Sequence, residues 1–138
     1  MSDCRKLSIL LRLSTFVKMK KAIIIGATSG IGKSLAELLL REGYEVGVTG
    51  RRDELFQSIK TKETGRIVFK KMDVQDLPTL EPICNELVRQ MGGLDLLIIS
   101  AGIGEDNKNL NFEVENNVIK TNMVIAHICG TICNKGNL

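Results

Sequence analysis

At 138 residues the chain is one domain by length, and its 43% hydrophobic content is that of an ordinary globular protein able to bury a core. The net charge of +3 is unevenly spread: residues 1–21 hold six bases against one acid, which leaves thirteen bases against fifteen acids for the rest. The body therefore carries no nucleic-acid footprint, and no apolar run approaches the roughly 20 residues that a membrane span needs.

Residues 1–19 form a leader. Leu7, Leu10, Leu11 and Ser14 fall near helical spacing among bases, the pattern of an interfacial or transit segment. The plainer reading is an extension upstream of a start at Met19, with residues 1–18 poorly ordered. Residues 22–25 are a continuous apolar run, as in a strand buried on both faces. The turn Gly26-Ala27-Thr28-Ser29-Gly30-Ile31-Gly32 follows. Its glycines allow a sharp bend and a close approach to a ligand. A helix starting there points free amides and its positive dipole end into the bend, which suits a phosphate.

Ile31, Leu35, Leu38 and Leu39 give that helix an apolar face, and Gly43 closes it. Residues 46–49 read as a second strand. Residues 52–62 form a short polar helix with Leu55 and Ile59 inward, and residues 67–72 form a third strand ending at Asp73. Leu80, Ile83, Cys84, Leu87, Val88 and Met91 then recur at helical spacing. Pro78 and Pro82 are tolerable only near the first turn, so this helix is expected to start at 79–82, and Gly92-Gly93 ends it. Residues 94–99 are a fourth strand, Ser100-Ala101-Gly102 turns into an asparagine-rich loop, and a final helix spans about 112–128. Helices between buried strands imply an α/β fold with a parallel sheet and right-handed crossovers.

Cys4, Cys84, Cys129 and Cys133 contain no Cys-x-x-Cys pair, and His127 with two of them falls short of a closed zinc site. Scattered thiols of a cytoplasmic protein, with no metal, are the expectation.

Two phosphate-binding patterns overlap at the first turn. One is Gly26-x-x-x-Gly30-x-Gly32; the other is Ala27 to Ser34, which fits a P-loop if alanine replaces its first glycine, with Lys33 and Ser34 as the phosphate and magnesium ligands. The second strand favours the dinucleotide. Where an acid would accept hydrogen bonds from a bare ribose, the chain has Gly50-Arg51-Arg52. Guanidiniums there suit a 2′-phosphate, which arginine grips bidentately.

The run Gly26 to Gly32 resembles the cofactor turn of the short-chain dehydrogenase/reductase family. So do Thr49-Gly50-Arg51-Arg52, Asp73-Val74, Ser100-Ala101-Gly102 and Asn122, in order and at family-like spacing over residues 20–122. The resemblance implies a Rossmann-like, doubly wound sheet of strand order 3-2-1-4, interrupted after about four strands, that binds NADP(H) in preference to NAD(H). It implies that Gly26, Thr28, Ser29, Gly30, Ile31 and Gly32 lie along the diphosphate and nearby ribose. Arg51 and Arg52 would hold the 2′-phosphate, Asp73 and Val74 would flank the adenine, and Ser100, Ala101 and Gly102 would border the nicotinamide-side ribose. Ser100 stands where the family usually has asparagine, and Ile25 where threonine is common.

In this family hydride moves between nicotinamide and a carbonyl or alcohol carbon of a small molecule, with a serine, a tyrosine and a lysine four residues on as the catalytic set. Only Asn122, which orders a relay water, is matched here. Tyr44 is the one tyrosine, with Val48 rather than lysine four residues later. The chain thus looks like the cofactor-binding amino-terminal part of a reductase, inactive alone, with 123–138 unlike the family. Such a part would leave strand 94–99 as an apolar sheet edge and so invite self-association. A nucleotide-sensing module that never catalysed, and a P-loop protein, are the competing readings.

Overall fold

The structure, a computed structural model, describes residues 18–60, 66–102 and 107–132. Residues 1–17 of the expected leader, the end of the helix expected at 52–62, the loop after Gly102, residues 133–138 and the side chains of Leu55 and Cys129 lie outside the described residues, as do Cys4 and Cys133. Among the described residues four strands and four helices alternate: β1 Lys21–Ile25, α1 Gly30–Arg41, β2 Glu45–Gly50, α2 Asp53–Lys60, β3 Ile67–Lys71, α3 Leu77–Met91, β4 Leu96–Ile99 and α4 Phe112–Ile132. The strands make one sheet in the order β3-β2-β1-β4, every pairing parallel. This is the doubly wound α/β arrangement expected from the sequence.

After Lys21, β1 is apolar because both its faces are covered. Ile23 and Ile25 point to one side, into a core with Leu80, Leu87, Val88 and Met91 of α3 and Ile125 and Ile132 of α4. Ile24 points to the other side, into a core with Ala36 and Leu40 of α1, Val46 and Val48 of β2, and Phe56 and Ile59 of α2. The period of two along the strand feeds both cores. Gly47 of β2 makes the first fit possible, since a Cβ there would lie 2.8 Å from Met91 Sδ and 3.1 Å from Ile23 Cγ1.

α1 differs from the sequence reading in its inward face. Leu35 and Leu39 do pack against the second core, but Ile31 is 76% exposed and Leu38 48% exposed. The buried stripe is Gly32, Ala36 and Leu40. Small residues face the sheet because the helix starts hard against the turn: a Cβ on Gly32 would sit 2.2 Å from Gly26 O. Leucine spacing alone therefore misplaced the face by about one position. Gly43 (φ +83°) ends the helix as expected, with Tyr44 N donating to Leu39 O and Gly43 N to Leu40 O, the paired bonds of a Schellman closure.

α3 starts at Leu77, earlier than the expected 79–82. Pro78 sits in the first turn, where its missing N–H is not needed. Thr79 fastens that turn, its N and Oγ1 both donating to Asp76 O at 3.1 and 2.9 Å. Pro82, inside the helix, withholds one hydrogen bond near the start and leaves the later turns intact. Gly92 (φ +70°) stops it. β4 begins at Leu96 rather than 94. Leu94 is buried in the first core, and Asp95 is tied to β1 by Asp95 N to Lys21 O and Lys21 N to Asp95 Oδ2, both 2.8 Å. α4 runs to Ile132, past the expected 128, because Thr121, Ile125 and Ile132 share one buried face.

On the surface of this frame, Lys70 of β3 and Glu86 of α3 pair at 2.6 Å. The Lys70 hydrogen bond holds the Glu86 carboxyl below its ordinary value of 4.5. A depressed folded-state value means that the pair's contribution is complete above the ordinary glutamate range and drains as pH falls through the folded value. Urea unfolding of wild type and Glu86→Gln is expected to show a small difference at pH 7 that closes below pH 4.5. A difference unchanged at pH 3 would contradict the pairing. The effect is small because both groups touch solvent.

Candidate functional site

The carboxyl ends of the four strands open onto one cleft of about 200 Å³, below the roughly 300–1,000 Å³ of an enclosing ligand pocket. It is a shelf for part of an elongated ligand. It lies where the strand order reverses between β1 and its two neighbours, the position at which open α/β sheets bind ligands.

Four loops build it. The first is the turn after β1, which contributes Gly26, Thr28 and Ser29 to the lining. Gly26 has φ +85°, and a Cβ on it would lie 2.7 Å from Ala101 N, so glycine is required twice over, by conformation and by space. Gly26 N and Ala27 N both donate to Thr49 O, at 3.1 and 2.9 Å. Those two amides are thus spent on β2. The amides of Gly30, Ile31 and Gly32 open α1 and have no carbonyl four residues back within the helix, so the donor end of the turn is the helix start. Gly30, Ile31 and Gly32 do not line the cleft itself. Ser29 is the N-cap of α1 and makes no side-chain capping bond.

The second loop brings Thr49, Gly50, Arg51 and Arg52, with both guanidinium residues exposed at the rim. The third brings Met72, Asp73, Val74 and Gln75; Asp73 Oδ1 accepts from Gln75 N at 3.0 Å and so shapes that loop. The fourth brings Ser100, Ala101 and Gly102. Ser100 N donates to Ile25 O at 2.8 Å, which continues the β1–β4 pairing one residue past the strand. Asn122 of α4 reaches the same end: its Oδ1 lies 3.4 Å from where a Cβ on Gly102 would be.

Ten of the expected cofactor residues therefore come together, and Asn122 joins them. Sequence reasoning gave no ligand role to Thr49, Gly50, Met72 or Gln75, which also line the cleft. Thr49 and Gly50 were signalled by their place at the end of a strand next to Arg51, whereas Gln75 carries no pattern of its own. Tyr44 lies just before β2, at the opposite end of the sheet, packed against the second core with Lys20 Nζ 5.9 Å from its ring centre. Lys33 stands in the first turn of α1 and outside the cleft lining. Among the described residues no group of three or more His, Cys, Asp or Glu is placed to hold a metal ion, and no helix is long and apolar enough to cross a membrane.

The model of the short chain dehydrogenase family matches residues 20–132. The chain belongs to that family. The short-chain dehydrogenases similar to it include the 3-oxoacyl-(acyl-carrier-protein) reductase FabG of Staphylococcus aureus, 32% identical over an alignment of 111 positions that covers 75% of this chain and 45% of the reductase. Among solved structures, ElxO with NADP bound superposes with a TM-score of 0.75 at 28% identity, over 86% of this chain and 50% of ElxO. An actinorhodin polyketide ketoreductase with NADPH gives 0.70 at 25% identity, over 86% and 50%. The chain thus spans about half the length of each of these three relatives. Short-chain dehydrogenases bind nicotinamide dinucleotides and act on carbonyl or alcohol groups.

Proposed function

We propose that this chain is the NADP(H)-binding part of an oxidoreductase that moves hydride between nicotinamide and a carbonyl or alcohol carbon. The observation that carries the cofactor choice is Arg51-Arg52 at the cleft rim directly after β2, where an acidic residue would instead favour a bare ribose. The relatives with NADP and NADPH bound support the same choice.

The cleft fits the group on its own terms. Gly30, at the head of α1, has nothing within 4 Å of where a Cβ would be, so a diphosphate can approach its backbone there. The opening amides of α1 and its dipole favour that charge. Arg51 and Arg52 would pair with the 2′-phosphate, Asp73 and Val74 would border the adenine, and Ala101 and Gly102 would border the nicotinamide-side ribose. The chemistry that such a bound dinucleotide would supply is gain or loss of hydride at its nicotinamide. Asn122, beside Gly102, would hold a water for the accompanying proton.

Tyr44 faces away from this end of the sheet, so the 138-residue chain alone is expected to bind without turnover. Titration with NADPH and NADH, followed by nicotinamide fluorescence, tests the reading: binding with NADPH preferred and no oxidation by added carbonyl compounds is the expected result. Equal affinity for the two would remove the reason for assigning NADP, and steady oxidation would show a proton donor other than a tyrosine.

A further inference from the structure

Gly50 has no left-handed backbone angle, so conformation does not explain a glycine at the end of β2. Space does. A Cβ on Gly50 would lie 2.2 Å from Thr28 Cγ2 and 2.9 Å from Thr28 Oγ1. The Thr28 side chain occupies the place where a side chain at position 50 would be. Gly50 is held on its other side as well, since its O accepts from Met72 N at 3.0 Å and it pairs with Lys71 of β3. The next residue to leave the sheet is Arg51.

We propose that Thr28 is a positioning residue for Arg51 and Arg52: seated over Gly50, it locks the first turn to the end of β2 and so sets the arginines at a fixed distance from the diphosphate position. This rests on the NADP reading above and deepens it. Two backbone bonds already draw the turn to β2, from Gly26 N and Ala27 N to Thr49 O. These bonds fix the start of the turn, whereas Thr28 is the contact that reaches the residue preceding Arg51. Removing its methyl and hydroxyl frees Gly50 to shift, and a shift there moves the guanidiniums while leaving the helix amides where they are. Selectivity should therefore suffer more than affinity as a whole.

The test compares Thr28→Ala, Thr28→Val and Gly50→Ala with wild type, each titrated with NADPH and NADH, with a thermal melt to verify folding. Thr28→Ala is expected to lower the NADPH-to-NADH affinity ratio about fivefold to tenfold, with Thr28→Val, which keeps the shape, restoring most of it. Gly50→Ala is expected to disturb wild type strongly and the Thr28→Ala background weakly, because the two sites share one space and cannot be additive. Thr28→Val behaving like Thr28→Ala would overturn the proposal, since a hydroxyl contact rather than packing would then be responsible. An unchanged ratio in Thr28→Ala, or an equal loss for both dinucleotides, would overturn it too. If wild type itself shows no preference and Arg51→Ala changes nothing, the NADP reading falls and this proposal with it. A preference that Arg51→Ala abolishes and Thr28→Ala preserves defeats the positioning role alone.

Discussion

Arg51→Ala is expected to weaken NADPH binding by about 10- to 150-fold while changing NADH binding by less than about threefold. The size follows from the kind of contact. A hydrogen bond to a charged partner contributes roughly 1.5–3 kcal/mol, and each 1.4 kcal/mol is about tenfold in affinity. The cleft rim offers two guanidiniums, at Arg51 and Arg52, so Arg52 will retain part of the attraction and the full penalty should appear only in the double substitution. Solvent exposure of both residues makes the preference salt-sensitive as well. Parallel titrations at low and physiological salt measure this. A variant that loses both dinucleotides equally would mean that Arg51 supports the loop rather than the 2′-phosphate.

Gly32→Ala has the opposite signature. In an ordinary helix interior this substitution gains up to about 1 kcal/mol, because alanine is the better helix former. Here a Cβ would lie 2.2 Å from Gly26 O and 3.1 Å from Ala27 Cα. Both are backbone atoms of the turn, which cannot yield as a flexible side chain would. Overpacking of that kind costs roughly 1–3 kcal/mol, so the clash outweighs the propensity and the sign reverses. The start of α1 must move away from the turn, and its amides move with it. Gly32→Ala is thus expected to lower the urea midpoint and to weaken NADPH and NADH alike, leaving their ratio unchanged. Stabilisation with intact binding would show that the helix start does not serve as the diphosphate site.

The strand–helix alternation was legible because residues 22–25 are a continuous apolar run and glycines mark both ends of α1, whereas the strand order followed from the family resemblance. The cleft was legible because its loops each follow a strand and carry residues of recognisable chemistry, such as Arg51, Asp73 and Gly102. What escaped was whatever depends on how closely elements approach. The leucines of α1 pointed to a face that includes Ile31 and Leu38, yet both stand in solvent, since the real contact is made by Gly32 and Ala36. Small residues contribute little to an apolar pattern even where they decide the packing. The start of α3 was set too late because Pro78 and Pro82 were read as barriers, whereas only Pro82 lies beyond the first turn and its cost is a single bond. The length of α4 depended on Ile132, a lone buried residue in a segment whose polar and glycine content reads as a turn. Two amides of the glycine turn, those of Gly26 and Ala27, are spent on Thr49 O. No one-dimensional pattern shows which donors of a loop are already committed to a neighbouring strand.

Calorimetric titration with 2′-phospho-ADP-ribose and ADP-ribose asks whether one cleft recognises a diphosphate and a 2′-phosphate together, because neither ligand calls on the nicotinamide end. Both are expected to bind at one site, the 2′-phosphorylated ligand at least tenfold more tightly. Equal affinities, or tighter binding of magnesium–ATP that is lost in Lys33→Ala, would contradict such joint recognition.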